Sequence, residues 1–128
     1  MRLSAERFEK IVFALAEEIL RELPPDLRAD AESVILLIEE QPTPEQRRAF
    51  DLEAGSTLYG LYEGVPLVNR HVDSVLLYPD RITLFQGPLQ AAARTEAELR
   101  AQVRRTLIHE LAHFFGRTDE ELLERGKY

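Results

Sequence analysis

The stretch Leu107-Ile108-His109-Glu110-Leu111-Ala112-His113-Phe114-Phe115-Gly116 decides how the C-terminal half of this chain folds. It is mostly apolar but carries two histidines four positions apart, and four residues make about one turn of an α-helix. Upstream, Thr95 followed by Glu98 fits a capping box, while Gly116 is a usual stop after a helix. The pattern therefore predicts a helix over residues 96–115.

The two histidines of this helix project from the same side, about one turn apart, as two ligands of a tetrahedral zinc must. The arc away from them is apolar and comprises Leu99, Val103, Leu107, Leu111, Phe114 and Phe115. The helix is thus expected to pack through one side and to present His109 and His113 to a cleft. Because the chain has no cysteine, a transition-metal site must use His, Asp, Glu or water.

Glu110 follows the first of these histidines and lies beside both of them on the predicted helix. A carboxylate at that position can take a proton from a metal-activated water as the water attacks a carbonyl carbon. It can later deliver the proton to the leaving nitrogen. The sequence therefore predicts Glu110 as the catalytic general base and acid.

Gly116 and Asp119 extend the pattern at intervals of three residues. A glycine adopts positive φ at low cost, so the chain can leave the helix and double back, bringing Asp119 to the metal as a third ligand. Two histidines and one carboxylate, with the fourth position left to water, form an open catalytic site for one Zn²⁺ per chain. Glu120 is an alternative third ligand, and an acid at position 119 is also what the dipole of a following helix favours.

The rest of the chain has local signals for both helices and strands. A helical period begins after Ser4, a plausible N-cap, and ends near Glu22 before two prolines. Residues 33–39 form an apolar, β-branched run that predicts a strand buried on both faces. Further elements are a short helix starting at Thr43-Pro44-Glu45-Gln46, strands over 57–62 and 81–85, and a final helix over 119–125.

Length and composition limit the kind of protein this can be. The 128 residues predict a single domain, 1–128, and 45% hydrophobic with 30% charged residues is ordinary globular composition. A net charge of −7 argues against nucleic acid as a partner, and no apolar run has the length of a membrane span. Without an apolar N-terminal signal, a cytoplasmic location is expected. The oligomeric state stays open.

Over residues 109–119 the sequence resembles the zincin metallopeptidases, and the wider pattern resembles a family of short bacterial proteins, the minimal zincin-like metallopeptidases. The stretches that carry the wider resemblance are 58–67, 79–85 and 106–113. The resemblance implies an α+β fold with a small mixed sheet of three to four strands packed with helices. It also implies hydrolysis of a peptide or unfolded protein segment, which would pair with the strand around Leu58, Gly60 and Tyr62 as the substrate-binding edge.

The chain departs from the larger relatives in ways that keep other functions open. Those relatives usually have a third histidine where Asp119 stands, although the snapalysin type uses aspartate. They also rest the site on a methionine-containing turn, whereas the only methionine here is Met1. Two alternatives to a peptidase are a metal-dependent hydrolase of small amides or esters, and a protein-binding module that keeps the fold with vestigial activity.

Overall fold

The structure, a computed structural model, describes residues 2–49, 58–67, 79–118 and 120–122. Its helices are α1 (Ala5–Glu22), α2 (Pro25–Ala31), α3 (Pro44–Ala49), α4 (Gln86–Ala91) and α5 (Glu96–Phe115). Its strands are β1 (Ile35–Glu39), β2 (Gly60–Glu63) and β3 (Arg81–Phe85). Within these ranges no helix combines the length and the apolar character needed to cross a membrane.

The three strands form one mixed sheet in the order β1-β3-β2. β1 runs parallel to β3, with Leu37 opposite Thr83, and β2 runs antiparallel to β3, with Leu61 opposite Thr83. A small mixed sheet packed with helices is the α+β arrangement that was predicted, and that prediction is confirmed. β3 has the predicted bounds, whereas β2 begins at Gly60, later than the predicted start, and residue 57 lies outside the described residues.

Side-chain caps mark the starts of the two long helices, α1 and α5, at the residues that the sequence predicts. The Ser4 hydroxyl accepts a hydrogen bond of 3.1 Å from the Arg7 N–H at the start of α1. The Thr95 hydroxyl accepts one of 3.1 Å from the Glu98 N–H at the start of α5. Each bond satisfies an N–H that has no partner within the first helical turn, so these helices begin where their caps lie.

The core lies between one face of the sheet and the helices α1 and α5. The sheet contributes Tyr62, Ile82 and Leu84 to this core, and the predicted apolar arc of α5 is buried in it. α1 supplies the matching apolar surface with Phe8, Ile11, Val12, Leu15 and Ile19. Because α5 packs on both α1 and the sheet, its position relative to β2 is fixed by the core.

The prediction that β1 is buried on both faces is wrong. Leu36 and Ile38 pack against the core, but Ile35 and Leu37, on the opposite face, are 43% and 39% exposed. Within the described part of the chain, β1 has a neighbouring strand on one side only. A continuous apolar run therefore predicts a strand here, but it does not predict whether other elements pack on both of its faces.

Two short helices were not predicted from the sequence. Pro25 begins α2, because proline suits a first helical position where its missing N–H is not needed. α4 begins at Gln86, directly after β3, and Pro88 lies within its first turn, where the missing N–H is likewise not needed. Of the predicted final helix, residues 120–122 are helical, and residues 119 and 123–125 lie outside the described residues.

Candidate metal centre

The C-terminal half of α5 is buried almost all round. Between Thr106 and Phe115, only His109 and His113 are exposed, and the eight other residues are buried. Exposure at two positions one turn apart on such a helix gives a single opening in the packing. The two imidazoles occupy this opening, as the sequence pattern predicts for a pair of ligands.

Glu110 lies beneath this opening and is only 6% exposed. Its Oε1 accepts a hydrogen bond of 2.9 Å from the backbone N–H of Tyr62 in β2. The direction of this N–H follows from the antiparallel pairing of β2 with β3. The Phe85 N–H donates to the Tyr59 carbonyl at 2.9 Å, so the backbone groups of Tyr59 point towards β3. Because this direction alternates along the strand, the backbone groups of Gly60 and Tyr62 point away from β3, and the Tyr62 N–H reaches the carboxylate.

The histidine rings lie close to each other and to this carboxylate. Their centroids are 4.5 Å apart, and Nδ1 of His113 lies 3.4 Å from Oε1 of Glu110. One ligand atom from each of His109, Glu110 and His113 lies within 4.8 Å of the others. The two imidazoles would hold a zinc ion in this arrangement, and the carboxylate of Glu110 would lie beside it. The donor set of imidazole and carboxylate therefore fits Zn²⁺.

The turn after α5 contains the left-handed glycine that the sequence predicts. Gly116 adopts the left-handed conformation, with φ 66° and ψ 38°. Its N–H donates to the His113 carbonyl at 3.0 Å, and the Arg117 N–H donates to the Ala112 carbonyl at 2.8 Å. These two bonds reverse the chain at the end of the helix. Asp119 lies outside the described residues, and Glu120, which is exposed, is not part of the group around the histidines.

Tyr62 connects the site to the strand framework through its side chain as well. Its hydroxyl lies 2.7 Å from Oδ1 of Asp80, and both residues are buried. Its ring meets the ring of Phe114 edge to face, with centroids 5.9 Å apart. Because Phe114 follows His113 on α5, these contacts fix β2 against the helix next to the histidines.

Two cavities adjoin the histidine pair, one on each side. The His109 cavity, about 370 Å³, is lined by Leu58, Tyr59, Gly60, Gln102, Arg105, Thr106, His109 and Glu110. The His113 cavity, about 660 Å³, is lined by Tyr62, Glu63, Gly64, Pro66, His113, Gly116, Arg117, Thr118 and Glu121. Strand β2 contributes residues to both, so the two cavities follow one another along this strand.

The predicted site residues lie on α5 and along β2. The structure brings His109, Glu110 and His113 together, with Leu58 and Gly60 beside His109 and Tyr62 beside His113. Two features were not predicted from the sequence: the bond from the Tyr62 N–H to Glu110, and Arg117 in the wall of the His113 cavity. The bond has no local signal, because its partners are 48 positions apart. For Arg117, the sequence offers one signal, which is that it directly follows Gly116, the predicted end of the helix.

Comparison with known proteins gives the family. No curated protein matches the sequence at a significant level. The family described as zincin-like metallopeptidase matches residues 31–127, which include all three strands and the helix with the histidine pair. With its mixed sheet, its His-Glu-His group and this match over most of its length, the chain belongs to the zincin-like metallopeptidase family.

Proposed function

We propose that this protein is a zinc-dependent metallopeptidase with one zinc per chain, bound by His109, His113 and Asp119. The observation that carries the proposal is a buried carboxylate, Glu110, between two exposed imidazoles on one helix. A structural role alone gives no reason for exposing two histidines on a helix half that is otherwise buried. The family match and the donor set support the same function.

In this proposal zinc supplies a Lewis acid that polarises the scissile carbonyl and lowers the pKa of a water molecule. Glu110 accepts the proton of the attacking water and then donates it to the leaving nitrogen. The hydrogen bond from the Tyr62 N–H restrains the carboxylate, so that it has the same direction for both transfers. Burial excludes bulk water from around the carboxylate, which strengthens its interaction with the proton being moved.

The substrate in this proposal is an extended peptide or an unfolded protein segment lying along β2. The backbone groups of Gly60 point away from β3, where a peptide strand can pair with them. Leu58 and Gly60 then contact the substrate in the His109 cavity, while Tyr62 contacts it in the His113 cavity. Glu110 lines the His109 cavity, and its hydrogen bond to the Tyr62 N–H joins it to the residue that lines the His113 cavity.

The test is hydrolysis of a mixture of unstructured peptides, with products identified by mass spectrometry, by the wild type and by Glu110→Gln. The glutamine keeps an oxygen that can accept the Tyr62 N–H, but it cannot take up a proton. We expect at least about a thousandfold loss of turnover with zinc content unchanged. Glu18→Gln makes the same chemical change at an exposed position on α1 and should retain full activity.

The outcomes of this experiment separate the candidate functions. Peptide cleavage that survives in Glu110→Gln would falsify the assignment of this carboxylate as the base. If the wild type cleaves small amides or esters in a parallel panel but no peptide, the protein is a metal-dependent hydrolase of another class. If the zinc-loaded wild type hydrolyses neither panel, the peptidase proposal fails and a binding module with vestigial activity is favoured.

A further inference from the structure

Arg117 stands at a fixed place in the wall of the His113 cavity. Its backbone N–H donates to the Ala112 carbonyl at 2.8 Å, as part of the turn that Gly116 makes possible. The turn begins at His113, whose carbonyl accepts the Gly116 N–H. The base of the Arg117 side chain is therefore held at a set distance from the histidine pair, without depending on a flexible loop.

The guanidinium of Arg117 is an unusual feature of this cavity. Its Nε is buried and makes no hydrogen bond, and within the described ranges it is the one buried side-chain nitrogen or oxygen in that condition. Arginine stays protonated at physiological pH, so this N–H belongs to a full positive charge. Buried donors in folded proteins nearly always have an acceptor. Arg117 therefore carries a positive charge, and at Nε a buried donor, for which the described residues supply no acceptor.

The negative groups of the same cavity have other partners. Glu63 forms an ion pair with Arg81, with 3.2 Å between Nη2 and Oε2. Oε1 of Glu121 accepts the Thr118 N–H at 3.2 Å, as the acidic member of a capping box. Neither contact involves Arg117. The cavity thus combines a guanidinium for which the described residues supply no partner with two carboxylates that are already engaged.

We propose that Arg117 binds a carboxylate of the substrate in the His113 cavity and makes the enzyme select peptides with negative charge on that side of the scissile bond. The carboxylate would accept from the fork of terminal Nη–H groups of the guanidinium, because Nε is closed off from solvent. This inference rests on the proposed function in one respect, which is that the bound carboxylate belongs to a peptide substrate. Because the whole chain carries −7, recognition depends on this local fork and not on the overall field.

The carboxylate can come from two places in a peptide. An α-carboxylate at Arg117 would make the enzyme trim the C-terminal end of a chain. An aspartate or glutamate side chain would instead give internal cleavage next to acidic residues. The chemistry at the guanidinium is the same for both, so peptides that differ in one carboxylate at a time distinguish them.

The first experiment detects binding without any hydrolysis. N-acetylalanine and N-acetylalanine amide are titrated separately into the ¹⁵N-labelled protein, and the arginine Nε–H resonances are followed by NMR. The Arg117 signal is identified by its absence from the Arg117→Lys spectrum. We expect this signal to shift with the acid and not with the amide, and to do so also in His109→Ala, where binding to a metal is impaired. A response to both compounds, or to neither, overturns the proposal.

The second experiment measures kcat/KM for matched peptides. One pair has a C-terminal acid or amide, and another set has glutamate or glutamine at each internal position in turn. We expect a preference of about tenfold for one kind of carboxylate. The preference should be lost in Arg117→Gln and only partly kept in Arg117→Lys, because an ammonium group retains the charge but not the fork. It should be unchanged in Arg21→Gln, which removes an exposed arginine on α1. Equal rates for acidic and neutral peptides overturn the proposal.

The two experiments separate this inference from the proposed function. If the Arg117 resonance responds to the acid while no peptide is cleaved, the anion site stands and the peptidase proposal fails. If peptides are cleaved with no preference for a carboxylate and the resonance does not respond, the peptidase stands and Arg117 has no role in specificity. Glu121→Gln adds a further check, because it keeps the capping acceptor, removes a negative charge and should tighten binding of the acidic peptides.

Discussion

The backbone N–H of Tyr62 donates a hydrogen bond of 2.9 Å to Oε1 of Glu110, so strand β2 and helix α5 meet at the proposed catalytic carboxylate. The donor belongs to the backbone, and its position is therefore set by the register of β2 on β3. Any change that moves β2 relative to α5 should therefore displace the Glu110 carboxylate more than it displaces the two histidine rings.

Removing the acceptor at Glu110 should destabilise the protein more than changing its charge. Glu110→Ala leaves the Tyr62 N–H buried without this partner, and we expect a loss of about 1–3 kcal/mol in the free energy of unfolding. Glu110→Gln keeps an oxygen in place and should lose less. Urea denaturation of the metal-free proteins measures both, with Glu18→Ala as the exposed control. Equal losses in the two Glu110 variants would contradict the role assigned to the hydrogen bond.

Gly60 allows the close approach of β2 to α5. A Cβ at this position would lie 2.6 Å from Cγ2 of Thr106 and 3.0 Å from Cδ2 of Leu84. We expect Gly60→Ala to cost about 1–3 kcal/mol in unfolding free energy and to reduce peptide turnover by displacing the strand. Thr106→Ser removes Cγ2 but keeps the hydroxyl that bonds the Gln102 carbonyl. The double variant should therefore recover much of the loss, and a purely additive result would mean that the clash lies elsewhere.

Gly116 should be needed both for stability and for zinc affinity. Alanine at φ 66° is strained, at a cost of about 1–2 kcal/mol, and the strain falls on the turn that leads to Asp119. Gly116→Ala should lower the melting temperature and weaken zinc binding in calorimetry. Gly116→Asn should retain more of both, because asparagine tolerates the left-handed region. Zinc affinity that is unchanged in Gly116→Ala would argue against Asp119 as the third ligand.

Zinc should stabilise the folded protein through the histidine pair. At a free zinc concentration a hundred times Kd, one site adds about 2.7 kcal/mol to the unfolding free energy. His109→Ala, His113→Ala and Asp119→Ala should each lose most of this stabilisation in thermal denaturation with and without zinc. His71→Ala, which changes the third histidine of the chain, should keep it. Full stabilisation in Asp119→Ala would remove that residue from the ligand set.

Glu96 should make stability depend on pH at the start of α5. Its pKa is lowered, first by the hydrogen bond with Arg100 and further by Arg7 on α1. Because the folded-state pKa lies below the unfolded one, the contribution is fully present above the unfolded pKa and is lost as the pH falls through the folded pKa. The wild type should thus exceed Glu96→Gln in stability at neutral pH, and the difference should vanish in acid. Urea denaturation at several pH values tests this, and a difference that is the same at every pH would contradict it.

Local signals in the sequence determined much of the fold. The capping residues Ser4, Thr43 and Thr95 and the stop at Gly116 predict helix ends that the structure confirms, because a cap acts on N–H groups within one turn. β3 was predicted over 81–85 by its alternation and by the Gly87-Pro88 pair that follows. That pair in fact lies within the first turn of α4, which begins at Gln86. In the sequence, a proline in a first helical turn cannot be told from a proline that ends a strand.

The sequence by itself determined the spacing of His109, Glu110 and His113, since one helix places all three and helix geometry is local. It also determined the left-handed turn at Gly116, which depends on one residue lacking a Cβ. Only the tertiary structure decided that Glu110 is buried under β2, that Ile35 and Leu37 are exposed, and that Arg117 lines the cavity beside His113. These features arise where segments far apart in sequence pack together, and no pattern within a single segment encodes which surfaces will meet.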